Sequence, residues 1–229
     1  MSIAAARIER YYDTHDIEGE EMGQNNFHFN TIQYLVSLLK WLYRGQQVYI
    51  GGELNLYRTP NRKEVPLTPD VLVIKGIAPI EERDQEFSSY YVNVDGPPPA
   101  LVIEVSNPKT WRDDLEVKPT LYAAMGIQEC FVFDPHSRPL WTKEWRKRGR
   151  LTGFRLDPLN SKMPELGTEQ SGQLWSEQLQ SRLVVEDRDL RLYDQDGQLH
   201  LTEAQAERKR ADRLAEFLRE QGFNPDNVV

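Results

Sequence analysis

One cysteine in 229 residues leaves no partner for a disulfide within the chain, so the fold does not rest on the covalent framework that small secreted domains need. That residue, Cys130, sits in the apolar run Cys130-Phe131-Val132-Phe133, where a thiol packs as a small hydrophobe. Long hydrophobic runs are missing as well. No stretch of about 18 apolar residues occurs, which excludes a membrane-spanning helix, and Met1 to Arg10 lacks the apolar centre of a secretory signal. The expected compartment is the cytoplasm. Internal repeats and low-complexity tracts are absent too. There is no surplus of positive charge: 28 Lys and Arg stand against 36 Asp and Glu, a formal net charge of −8. Non-specific nucleic-acid coating depends on Lys and Arg neutralising phosphates, so that class is disfavoured. A nuclease remains open, because acids gathered around a divalent ion become favourable once it is bound, and a local basic strip is enough to hold a backbone.

What is present is ordinary globular material, 39% hydrophobic and 28% charged, enough for a packed core in one domain with appended elements. The expected division is one domain over 1–200, with its core at 26–136, and a charged helix and tail over 201–229. Apolar residues at Ile32, Leu35, Val36, Leu39 and Leu42 put one stripe on a helix running from Asn26 to Tyr43. Gly45 stops it, and Gln47 to Tyr57 alternates as a strand bent at Gly51-Gly52. Val71 to Ile74 and Leu101 to Val105 are short continuous apolar runs, as in strands buried on both faces. Ala78 to Gly96, between them, has no clear period and reads as a loop or a short helix.

Thr110 is a candidate N-cap for a helix to Met125, with Asp113 and Asp114 in its first turn and Gly126 beyond its end. Pro119 kinks that helix or restarts it. Cys130 to Asp134 supplies a third strand, so strand, helix and strand form a crossover unit with parallel strands. Leu190-Arg191-Leu192-Tyr193 before Asp196-Gly197 reads as an antiparallel hairpin. Thr202 to Gly222 is a charged helix with Ala204, Ala211, Leu214, Phe217 and Leu218 as its apolar stripe. The fold class is therefore α/β (α+β).

Chemistry enters where the pattern breaks. Alternation puts Val102, Glu104 and Ser106 on one face of their strand, and Glu104 is a carboxylate inside an otherwise apolar run. Burying it costs several kcal/mol unless a cation or hydrogen bonds compensate. Asp70 opens the preceding strand directly after Pro69. Two carboxylates from adjacent strands, with a backbone carbonyl such as that of Val105 and several waters, make a hard oxygen site suited to Mg²⁺ or Mn²⁺. Such an ion polarises a phosphodiester oxygen and activates water, and a nearby lysine orients that water and offsets transition-state charge.

Thr68-Pro69-Asp70, Ile103-Glu104-Val105-Ser106, Asp114-x3-Lys118-x3-Tyr122, and Gly126-Ile127-x-Glu129 ahead of Phe131-Val132-Phe133-Asp134-Pro135 occur in that order. With Arg213-Leu214-Ala215-Glu216-x-Leu218-Arg219, Gly222-Phe223 and Pro225-Asp226, this combination resembles the Uma-two family of restriction-endonuclease-like proteins, long catalogued as a domain of unknown function. The resemblance runs from about Asn26 onward and is strongest over Thr68 to Pro135. It implies the PD-(D/E)XK nuclease superfamily, hence a mixed sheet flanked by helices and a metal-dependent phosphodiesterase site. It also implies Asp70 and Glu104 as metal ligands. Ser106 occupies the place of the superfamily's usual lysine, and Lys118, from the following helix, is the matching lysine of the family.

Several residues keep two roles open. Glu104 is a metal ligand or a structural acid paired with Lys118 or Arg112. Tyr122 fills the core or orients Lys118. Asp114 stabilises the helix start or approaches the metal. His28 is a capping or surface residue rather than a base. The stretch Lys143, Arg146, Lys147, Arg148, Arg150 and Arg155, interleaved with Trp141, Trp145 and Phe154, tracks a phosphate backbone or is a solvated hairpin. The leading expectation is a metal-dependent endonuclease acting on DNA, catalysed by Asp70, Glu104 and Lys118, and dimeric by analogy with the scaffold. Its rival is an inactive nucleic-acid- or protein-binding module on the same scaffold.

Overall fold

The computed structural model describes residues 24–59, 64–78, 89–107, 110–135, 149–167 and 172–224. Helix α1 (Gln24–Leu42) follows the expected stripe, with Ile32, Leu35, Leu38 and Leu39 buried and Val36 and Leu42 partly so. Fully burying each such side chain contributes roughly 1.5–3 kcal/mol, which is what holds the helix to the sheet. Gly45 then turns the chain at φ 72°.

The alternating stretch that follows is two strands rather than one. Strand β1 (Val48–Gly51) ends at the glycine pair and β2 (Asn55–Tyr57) belongs to a different sheet. Between them Glu53 takes φ 53°, a left-handed turn that carries the chain off the sheet edge. Strands β3 (Val71–Lys75) and β5 (Leu101–Val105) are the apolar runs read from the sequence. The described part of the intervening segment holds a further short strand, β4 (Ser89–Tyr91), paired in parallel with β2. Its aromatic ladder, with the Tyr57 and Tyr91 rings stacked at 5.0 Å, escaped a periodicity reading because three residues are too few to show a period.

After β5 the chain forms a wide turn of π-helix at Asp113–Val117 and then α2 (Lys118–Met125), with Pro119 in its first turn. Pro119 has no N–H to give to the preceding turn. The turn before it opens, with the Lys118 N–H reaching back five residues to the Asp113 carbonyl, and the regular helix restarts. Gly126, at φ 81°, closes α2 with its N–H on the Ala123 and Tyr122 carbonyls, and Ile127 is buried directly after it.

Strands β6 (Glu129–Phe133) and β7 (Leu151–Arg155) complete a five-stranded sheet in the order β1-β3-β5-β6-β7. Its β5/β6 pair is parallel and the others antiparallel, so the sheet is mixed. A second sheet, β8 (Leu174–Ser176), β9 (Ser181–Glu186) and β10 (Asp189–Tyr193), is antiparallel throughout. The expected hairpin lies here, but the strand paired with Leu190 to Tyr193 precedes it, across a tight turn at Asp187 (φ 49°). The Asp196-Gly197 turn closes only the single Tyr193–Leu199 bridge.

Side chains alternate across the main sheet into two cores. Val71, Val73, Leu101, Ile103, Val105, Phe131 and Phe133 meet α1 and the leucines of β8 to β10. Leu72, Ile74, Val102, Cys130 and Val132 meet α2, Leu115 and the β2/β4 ribbon. The last helix, α3 (Glu203–Glu220), starts on a capping box between Thr202 and Gln205. It buries no residue, and Leu214 and Phe217 of its stripe stay 58% and 56% exposed. Among the described residues no helix is long and apolar enough to cross a membrane.

Candidate active site

The C-terminal end of β5 collects the predicted residues. Asp70 precedes β3, whose antiparallel register pairs Val71 with Ile103 and Leu72 with Val102. Extended by one residue, that register sets Asp70 opposite Glu104. Backbone bonds deliver Asp70 to this place: Leu56 and Leu67 exchange N–H···O bonds of 2.7 and 3.0 Å, and Glu53 N–H reaches the Pro69 carbonyl at 3.0 Å. A Cβ on Gly52 would lie 2.7 Å from the Asp70 carbonyl oxygen, so only glycine permits this approach. Asp70 Oδ2 accepts the Val105 N–H at 2.7 Å, tying the end of β3 to the end of β5.

Glu104 is 1% exposed and is compensated on both oxygens. Lys118 Nζ donates to Oε2 at 2.8 Å and the Tyr122 hydroxyl donates to Oε1. Tyr122, itself fully buried, thus holds the carboxylate rather than the lysine. Arg112, the other candidate partner, is exposed and lies over the Trp111 ring at 5.3 Å. Burial pushes Glu104 up to about 7; Lys118 pulls it down, while Asp114 and Asp70 add to the rise.

The same ammonium lies 2.8 Å from Asp114 Oδ1. Asp114 is buried, and its Oδ2 accepts hydroxyl hydrogen bonds of 2.8 Å from both Ser106 and Thr110. Thr110 therefore spends its side chain on Asp114 instead of capping the helix, and Asp114, expected to stabilise the helix start or approach a metal, is a buried partner of Lys118 and Ser106. Ser106, on the Glu104 face of its strand, anchors the acid that anchors the displaced lysine. Burial opposes charge on Lys118, but Glu104 and Asp114 outweigh it and hold the ammonium well above its usual pKa. Asp114 and Lys118, four residues apart, share one helical face across the π turn at Asp113–Val117 and so meet the same strand.

His28 is drawn into the site as well, contrary to a surface role. Its Nε2 lies 3.4 Å from Asp70 Oδ2. Burial disfavours its charged form, yet hydrogen bonding to Asp70, the charges of Asp70 and Asp114 and the Val105 backbone outweigh this and raise its pKa. A signal was present: 28, 32, 35 and 39 lie on one helical stripe, so His28 continues the buried face of α1.

A second buried glutamate shows what a structural acid looks like here. Glu129 receives Arg155 Nε at 2.9 Å, Glu177 N–H at 2.9 Å, Gln178 N–H at 3.1 Å and the Ser176 hydroxyl. That clasp ties β6 and β7 to the second sheet at the end of the main sheet away from Glu104. It also removes Arg155 from any phosphate track, and Phe154 is core at 5% exposure. Trp141, Lys143, Trp145, Arg146, Lys147 and Arg148 lie outside the described residues.

Comparison with known proteins agrees with this reading at the level of family. The family model Uma2, described as "Putative restriction endonuclease", matches residues 7–192. None of the curated proteins matches. Among solved structures, a crystal structure titled as a putative nuclease belonging to DUF820 from Anabaena variabilis ATCC 29413 is similar at 14% identity and a TM-score of 0.42. The match covers 67% of this chain and 73% of that one, a likeness too distant to assign function. With its mixed sheet, flanking helices and a family match over most of its length, the chain belongs to the Uma2 restriction-endonuclease family.

Proposed function

We propose that this protein is a metal-dependent endonuclease hydrolysing DNA phosphodiester bonds, with Asp70, Glu104 and the Val105 carbonyl as ligands of Mg²⁺ or Mn²⁺ and Lys118 placing the attacking water. The observation that carries the reading is the meeting of Asp70 and Glu104 at adjoining strand ends with the Lys118 ammonium 2.8 Å from Glu104.

The donor atoms are hard oxygens, the kind these ions take. Asp70 has Oδ2 pinned by the Val105 N–H, while Oδ1 makes no hydrogen bond among the described residues. Each Glu104 oxygen accepts one hydrogen bond and keeps a lone pair. Among the described residues no three His, Cys, Asp or Glu side chains are grouped to hold one ion. On the proposed reading two carboxylates would hold the ion and most positions would go to water, as Mg²⁺ prefers. A bound ion supplies Lewis-acid polarisation of a phosphodiester oxygen. Lys118, kept charged by its two acids, serves as donor and not as base: two of its N–H groups go to Glu104 and Asp114, and the third is available to orient water and offset charge on the phosphate.

Cleavage of supercoiled plasmid with Mg²⁺ or Mn²⁺, comparing the wild type with Glu104→Ala purified identically, tests the proposal. Cleavage present in the wild type and lost in the variant is expected; equal cleavage by both removes the assignment. One observation favours a second reading, a non-catalytic binding module: Glu104 is already engaged on both oxygens by Lys118 and Tyr122. Absence of Mn²⁺ or Mg²⁺ binding in a calorimetric titration would favour it.

A further inference from the structure

The sheet edge that carries Asp70 and Glu104 continues past β6 to two arginines that the proposed reaction does not use. Arg150 is fixed at the exit of β6, its backbone carbonyl accepting the Asp134 N–H at 2.8 Å and its Nε donating to the Asp134 carbonyl at 3.0 Å. Its Nη1 donates to the Asp187 carbonyl in the β9–β10 turn, whereas Nη2 is buried and has no hydrogen-bond partner among the described residues. A buried donor without an acceptor is costly, which marks a place where an incoming group has an oxygen to supply.

Arg188 stands beside it in the same turn. It is exposed, lies 4.5 Å over the Phe27 ring, and makes no ion pair among the described residues. Arg150 is bonded to the carbonyl of Asp187, the residue directly before Arg188, so one turn carries both groups; burial lowers the pKa of Arg150, Asp134 and Asp187 oppose this, and the charge of Arg188 adds to the lowering. Both ends of this pair lead to the candidate site. Phe27 adjoins His28, whose ring lies against Asp70, and Phe133, one residue before Asp134, accepts the Ser106 N–H at 2.7 Å. Arg150 opens a strand two places from β5, roughly 10 Å across the sheet, a span of about three nucleotides at 3.4 Å per step.

We propose that Arg150 and Arg188 form a phosphate subsite for the nucleic-acid strand that enters the Asp70–Glu104 site, Arg150 giving the buried donor and Arg188 the exposed charge. Guanidinium suits this ligand because its planar fork matches phosphate oxygens and it sheds water more easily than an ammonium. The identity of the strand as substrate rests on the endonuclease reading; the subsite itself does not.

Arg188 is the residue to change, since among the described residues its side chain makes no hydrogen bond or ion pair and contacts the Phe27 ring. Fluorescence anisotropy with a labelled DNA duplex, and with an RNA duplex of the same sequence, is measured in EDTA and in Ca²⁺ from 50 to 200 mM salt. For Arg188→Ala the slope of log affinity against log salt should become shallower by about one, with affinity down roughly tenfold, and Arg188→Glu should lose more. The duplex on which this change falls identifies the strand. Unchanged affinity and slope in both variants overturn the subsite, as does failure of the wild type to bind either duplex. If binding depends on Arg188 while plasmid remains uncut, the subsite stands and the nuclease reading falls. If cutting persists and binding ignores Arg188, the reverse holds.

Discussion

Replacing Lys118 by methionine keeps the apolar stem of the side chain and removes its ammonium. In the structure that ammonium is 2.8 Å from Glu104 Oε2 and 2.8 Å from Asp114 Oδ1, with 18% of the lysine and 1% of each acid exposed. Removing one partner of a buried charge pair costs about 3–5 kcal/mol, because the remaining charge keeps its desolvation penalty. Here one cation serves two acids, so the upper part of that range is expected at pH 8. The loss depends on pH. Glu104 already sits at about 7, raised chiefly by burial and pulled down by Lys118; without the lysine it takes up a proton at higher pH still. An acid whose folded pKa exceeds its unfolded value gains a proton on folding. Its contribution is fully present below the unfolded value of 4.5 and is lost as pH rises through the folded one. The variant should therefore recover stability relative to wild type as pH falls from 8 toward 7, by up to about 1.4 kcal/mol per pH unit, and run parallel to it from 7 to 5, where Glu104 takes up a proton in both folded proteins. Urea unfolding of both proteins across that range measures it. A loss below about 1 kcal/mol, equal at pH 8 and pH 5, is what a solvated pair gives and would refute the reasoning.

Two more predictions concern positions with no part in the chemistry itself. Gly52→Ala forces a Cβ to within 2.7 Å of the Asp70 carbonyl oxygen; a destabilisation of about 1–3 kcal/mol is expected, with weaker Mn²⁺ binding, and urea unfolding plus calorimetry reads both. Glu129→Ala removes the buried acceptor of the Ser176 hydroxyl, two backbone N–H groups and Arg155, which keeps Glu177 and the Trp175 carbonyl as partners, so about 3 kcal/mol should be lost. Metal affinity in that variant should stay at the wild-type value, and a parallel loss would mean that Glu129 is coupled to the site.

The apolar runs Val71 to Ile74, Leu101 to Val105 and Cys130 to Asp134 were legible as strands in the sequence by itself, because a continuous apolar run fits an element buried on both faces, and the observed strands begin and end within one residue of them. That Glu104 needs a partner was legible in the sequence too, since an acid in such a run has no other way to be buried, and the ordered strings from Thr68 to Pro135 with the C-terminal ending carried the resemblance to the family. What it left open depends on distance in space rather than along the chain. Glu129, read as lying just ahead of its strand, proves to be a buried strand acid like Glu104; only packing gave one a lysine and a tyrosine and the other an arginine clasp. Thr110 reads as a cap until Asp114 is seen buried beneath it. The i,i+4 spacing aligns Asp114 with Lys118, but that this face meets Ser106 and Glu104 is set by how the helix packs on β5. His28 and Arg188 reach the same edge from chain segments 160 residues apart only because α1 and the β9–β10 turn cover one face of the sheet. Local periodicity reports which side of an element is buried, and tertiary structure alone decides what that side meets.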